Sequence, residues 1–78
     1  MDDLQARLVG CFQTVFPDLS EAAIVTARQD DVASWDSVAT ITLINVMEEE
    51  FRVPFDLERL VEFNSFESIR AYLQPLLP

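Results

Sequence analysis

Histidine and lysine are missing from this chain of 78 residues, and cysteine and glycine occur once each. Without histidine the commonest general base and the commonest transition-metal ligand are both gone. No Ser-His-Asp or Cys-His site can therefore be assembled from this chain alone. Cys11 has no partner for an internal disulfide and no metal-ligand spacing around it. It falls on an apolar helical stripe and reads as a small core residue. With one glycine, hairpins are not expected, and no segment reads as a strand. No apolar run approaches the roughly 20 residues of a membrane span, so no membrane role is expected. Met1-Asp2-Asp3 is acidic where a signal peptide would be basic, and the chain is read as cytoplasmic.

Half of the residues are hydrophobic, enough for one folded domain over residues 1–78 with a thin core. Fourteen acidic residues face five arginines, a formal net charge of −9. Such a field repels nucleic-acid phosphates and anionic membranes and attracts basic protein surfaces. Asp30, Asp31 and Asp36 lack the spacing and the glycine of an EF-hand, so no metal site is expected.

Helical periodicity organises the rest. Leu4, Leu8, Cys11, Phe12, Val15 and Phe16 mark an amphipathic helix over 3–16, capped by Asp2 or Asp3 and stopped by Pro17. Asp3 stands one turn before Arg7, a favourable helix pair. Residues 17–36 keep no period beyond a short helical turn at Ser20–Ile24, and a connection this long is often functional. A second helix runs from Ser37 to Phe51, with Ser37 as its N-cap and Glu48 placed to pair with Arg52. Val38, Ile41, Ile44, Met47 and Phe51 form its expected inner stripe, widened by Leu43 and Val46. Asp56 caps a short helix over Leu57–Val61. Ser65 caps a last one, with Phe66, Ile69, Tyr72 and Leu73 on one side and Pro75 at its end. The expected fold is all-α: a four-helix bundle of three longer helices and one short one, with a long loop between the first two.

Catalytic groupings are scarce. Glu48, Glu49 and Glu50 are consecutive on a helix, point in different directions and cannot converge on one bond. They suit a solvated face or a docking surface for a basic partner. Ser37 is different, because a hydroxyl at a helix start is exposed and lies near amides that favour a phosphate. The triplet Asp36-Ser37-Val38 alone says little, since Asn64-Ser65-Phe66 has the same local grammar.

The wider arrangement resembles the acyl carrier protein family. Asp36-Ser37-Val38 opens the second helix, Glu48-Glu49-Glu50-Phe51 closes it, and an Asp-capped short helix follows. Members of that family carry Asp-Ser-Leu at the first place and commonly Glu-Glu-Phe at the second, and the resemblance spans the whole chain. It implies that a phosphopantetheinyl transferase attaches 4′-phosphopantetheine, derived from coenzyme A, to Ser37, with Asp36 beside it. The arm would carry acyl or ketide intermediates as thioesters, and the chain would be a substrate of partner synthases, not an enzyme. The implied partners are acyl-loading and condensing enzymes with basic docking surfaces, meeting Val38, Glu48, Glu49, Asp56 and Glu58 of a monomer. Ala39 and Thr42 stand where fatty-acid carriers are often acidic, which directs the expectation toward specialised polyketide or modified fatty-acid pathways. Trp35 points the same way, its alternative being a loop aromatic packed over the bundle. The residues expected to line any shelter for a short chain inside the bundle are Ile41, Val46 and Leu60. An aminoacyl or peptidyl carrier, and an acidic helical interaction module with no arm, are the alternative readings.

Overall fold

The computed structural model describes residues 3–77. Four α-helices carry the architecture: α1 (Asp3–Val15), α2 (Glu21–Val25), α3 (Ser37–Phe51) and α4 (Phe66–Leu73). Single turns of tighter 3-10 helix occupy Gln29–Asp31 and Gln74–Leu76, and two such turns, kinked at Arg59, occupy Leu57–Glu62. No strand forms among the described residues; a lone antiparallel bridge joins Arg28 to Ser65. The molecule is a small all-α bundle, in which α1 packs chiefly on α3 while α2 and α4 lie against α1 and each other.

The apolar side chains of α1 set this arrangement. Leu4, Leu8, Cys11 and Phe12 point inward at helical spacing, joined by Val9 and by Phe16 just beyond the helix. From α3 come Leu43, Ile44, Met47 and Phe51, and from α4 Phe66, Ile69 and Leu73. Full burial of a side chain of this size is worth about 1.5–3 kcal/mol. Aromatic rings finish the core in two groups. Phe12 meets Trp35 edge-on at 5.4 Å and Phe66 at 5.3 Å, while Phe63 lies 5.4 Å from Phe55 and 4.9 Å from Tyr72. Trp35 belongs to the first group and is buried, so it is a core residue and not a surface contact.

Cys11 is buried as well, on the side of α1 near Arg7 and Glu50. Burial pushes its thiol up to about 11; the Glu50 carboxylate adds to the effect and Arg7 opposes it. The thiol is protonated at neutral pH, as the core role requires.

Several local expectations are corrected. Asp3 is the first helical residue of α1, and Arg7 turns away from it: its Nε donates to Glu50 Oε2 at 2.8 Å and its Nη2 to the Glu50 carbonyl at 2.8 Å. The guanidinium also covers the Phe51 ring at 4.7 Å, so α3 offers three interactions where Asp3 offers one. Asp2 lies outside the described residues. Residues 57–62 form 3-10 turns instead of an α-helix, with a kink at Arg59. The α4 helix does end just before Pro75, at Leu73, but the chain continues through the proline as a further 3-10 turn, where a proline near the start of a turn has no amide to lose.

On α3 the buried and exposed faces differ from the expected stripe. Val38 is 71% exposed and Ile41 is exposed too, while Thr40 is buried. Glu48 does not pair with Arg52. Its Oε2 accepts the backbone N–H of Phe55 at 2.8 Å, because the chain folds back beyond Pro54 and the buried Phe55 needs an acceptor for its amide. Arg52 instead ends the helix in the left-handed conformation, φ 58°, with its N–H bonded to the Glu48 carbonyl.

The long connection between α1 and α3 is ordered by what it crosses. Ser20 caps α2, its hydroxyl accepting from the Ala23 amide. Farther on, the Gln29 N–H donates to the Asn64 carbonyl at 2.8 Å, and the Phe66 N–H donates to the Ala27 carbonyl at 3.0 Å. These bonds stitch the connection to the start of α4.

Candidate functional site at the start of helix α3

Three helices of the bundle begin beside a serine, and the three hydroxyls are used differently. Ser20 and Ser65 are N-caps: their hydroxyls accept the amides of Ala23 and Ser68, and Ser68 returns a bond to Ser65. At α3 the cap is Asp36, not Ser37 as the sequence suggests. Its Oδ1 accepts the Ala39 N–H at 2.8 Å and its carbonyl accepts the Thr40 N–H at 3.0 Å. A carboxylate competes well for this position, since it also meets the positive end of the helix dipole. Ser37 is thereby moved to the first helical position, exposed, and its hydroxyl takes no partner among the described residues.

The amides of Ser37 and Val38 likewise have no acceptor among the described residues, because Asp36 satisfies only those of Ala39 and Thr40. An exposed nucleophilic oxygen therefore stands next to two open N–H groups. That combination suits a phosphodiester built on the oxygen. No arginine lines the groove at Ser37 among the described residues, and the Asp36 carboxylate beside it is engaged by Ala39.

The immediate surroundings are a shallow groove of about 210 Å³ between α3 and the 57–62 turns, lined by Gln29, Asp30, Thr40, Leu60, Val61 and Asn64 together with Ser37. Val61, 82% exposed, lines this groove with Ser37, and the exposed Val38 follows Ser37 in α3. Ile41, Val46 and Leu60 do not enclose a common chamber. Leu60 lines the groove at Ser37, Ile41 faces solvent, and Val46 borders a separate surface groove with Arg7, Cys11 and Glu49.

The acidic residues are scattered around α3, not gathered at Ser37. Asp36 and Asp56 each use one oxygen as a cap, Asp56 accepting the Glu58 N–H at 2.9 Å, and Glu48 is tied to Phe55. The side chains of Glu49 and Glu58 have no partner among the described residues and are exposed. Val38 and Glu49 lie eleven positions apart on nearly the same face of α3, roughly 16 Å along the axis. Near the groove, the Arg59 guanidinium bonds the Glu62 carboxylate and holds it below its usual range. No group of three or more His, Cys, Asp or Glu side chains among the described residues is placed to hold a metal ion. No helix among them is long and apolar enough to cross a membrane.

The sequence reading missed Thr40. It is the buried polar residue of α3, and its hydroxyl accepts the Trp35 indole N–H at 2.8 Å while donating to the Asp36 carbonyl at 3.0 Å. A tryptophan five positions before a threonine at a helix start was the available signal. It goes unnoticed because a Thr among apolar residues reads as the outer face.

Compared with known proteins, the chain matches no family model, no curated protein and no solved structure.

Proposed function

We infer that this chain is a carrier protein, with Ser37 the attachment point for 4′-phosphopantetheine. The observation that supports this most is the division of labour at α3: Asp36 caps the helix, so the Ser37 hydroxyl is left exposed and unbonded. A serine serving only the helix would do what Ser20 and Ser65 do. The open amides of Ser37 and Val38 suit the phosphate that attachment would bring to this turn.

Attachment is a phosphoryl transfer. The Ser37 oxygen forms a bond to the phosphorus that carries pantetheine in coenzyme A, and the bond from that phosphorus to the adenosine bisphosphate portion breaks. The proton of Ser37 goes to a base on the transferase, since this chain has no histidine and offers no base at the hydroxyl. The arm, once attached, supplies a thiol that holds an acyl or ketide group as a thioester. Ser37 is a tether and turns nothing over. Partner enzymes with basic surfaces would dock along the exposed side of α3, where Val38 offers an apolar contact and Asp36 and Glu49 offer charge; Asp56 and Glu58 extend it and Glu48 contributes from the margin.

Incubation of the apo-protein with coenzyme A, magnesium and a broad-specificity phosphopantetheinyl transferase should add one phosphopantetheine to the intact mass. Ser37→Ala should abolish the gain. A wild-type chain that stays at its apo mass overturns the reading, and a gain that survives Ser37→Ala moves the attachment elsewhere.

A further inference from the structure

Thr40 is 3% exposed, and a hydroxyl so deep in a core is costly unless it is bonded. Valine would fill the same volume without that requirement, so packing alone does not call for threonine here. The hydroxyl is bonded on both sides. It receives the indole N–H of Trp35 at 2.8 Å and gives its own proton to the Asp36 carbonyl at 3.0 Å. The indole is 2% exposed and rests on α1, with the Phe12 and Phe16 rings 5.4 and 5.6 Å away. A line of hydrogen bonds thus runs from the aromatic wall on α1, through Trp35 and Thr40, to the carbonyl of the residue that precedes Ser37.

That carbonyl belongs to the peptide linking Asp36 to Ser37, so its orientation sets the direction of the Ser37 amide and the start of the first turn. Transfer to a hydroxyl demands near in-line approach over about 3–3.5 Å, and small misplacements are expensive in rate. We propose that Thr40 is a positioning residue for the modification of Ser37: backed by the Trp35 indole, it holds the Asp36–Ser37 peptide so that the hydroxyl and its two open amides face outward together. This rests on the reading of Ser37 as the attachment point. Thr40 touches neither coenzyme A nor the transferring phosphate.

The test is steady-state transfer kinetics with the chain as acceptor, using Thr40→Val, Thr40→Ser and Trp35→Phe, below the melting temperature of each variant as read by circular dichroism. Thr40→Val should lower kcat about ten-fold while KM changes less than about two-fold, the mark of lost alignment and not lost docking. Thr40→Ser, which keeps the hydroxyl, should restore most of the rate. The chain has one tryptophan, so the emission spectrum reports the indole directly and should shift in Thr40→Val but not in Thr40→Ser.

Wild-type kcat in folded Thr40→Val overturns the assignment, as does an equal loss in Thr40→Ser, which would make side-chain volume the cause. Should Thr40→Val not fold, Trp35→Phe carries the test, since it keeps an aromatic ring but loses the N–H. A kcat about three-fold lower supports the assignment; an unchanged one overturns it. A wild-type chain that gains no mass overturns the attachment reading and this assignment together. Modification of wild type and Thr40→Val at the same rate overturns the assignment alone.

Discussion

Gly10 stands in the middle of α1 on an exposed face, where an added Cβ would meet no atom within 4 Å. Nothing in the backbone requires it, because no glycine here has a positive φ. A glycine in a helix interior costs about 1 kcal/mol relative to alanine. Gly10→Ala should therefore raise the unfolding free energy by about 0.5–1 kcal/mol in a urea titration, with the slope unchanged. A loss of stability would show that the helix needs the glycine for a reason other than local conformation. The single residue is also where the sequence was hardest to read at Ser37. Aspartate and serine cap helices almost equally well, so Asp36-Ser37 leaves the boundary open by one position, and the consequence is large. As cap, the Ser37 hydroxyl would be occupied; one position later it is free.

The helices themselves were legible, their faces less so. The limits of α3 follow from Asp36 and Ser37 on one side and Pro54 on the other, and α4 is announced by Ser65. Periodicity could not orient α3, because apolar residues occur around most of its circumference and a threonine among them reads as polar surface. Only the neighbours decide that Thr40 turns in and Val38 and Ile41 turn out. The same holds for Glu48, whose partner is set by the fold-back after Pro54 and not by spacing along the helix. That bond ties the end of α3 to the segment leading into the 57–62 turns. Glu48→Ala should lower stability by about 1–2 kcal/mol by leaving the half-covered Phe55 amide without an acceptor. Glu48→Gln keeps an acceptor oxygen and should cost less than half as much, by the same urea titration. Equal costs for the two variants would assign the effect to charge.

At the level of the molecule the all-α bundle was readable from hydrophobic period and from helix-breaking residues alone. The ordering of residues 17–36 was not, because it depends on bonds to residues 64–66 that are distant in sequence. Charge was equally plain: a net −9, against which the described residues place two ion pairs, Arg7–Glu50 and Arg59–Glu62, both at the surface. Exposed pairs of this kind contribute little, and the excess of negative charge repels itself. Raising sodium chloride from 10 to 500 mM should therefore increase the melting temperature, in the range where the screening length falls from about 30 Å to a few ångströms. A melting temperature that drops with salt would mean that the pairs outweigh the repulsion.

The stitch between the long connection and the start of α4 also sets an order of events during synthesis. Trp35 leans on Phe12, Phe12 meets Phe66, and the backbone at Ala27 and Gln29 is held by residues 64 and 66. A nascent chain that has emerged only as far as α3 has made Ser37 but lacks the strand of contacts that braces the ground beneath it. The connection that leads into the turn bearing Ser37 is fully braced only once residues 64–66 have emerged from the ribosome, so a chain halted after α3 would present Ser37 on a loosened turn.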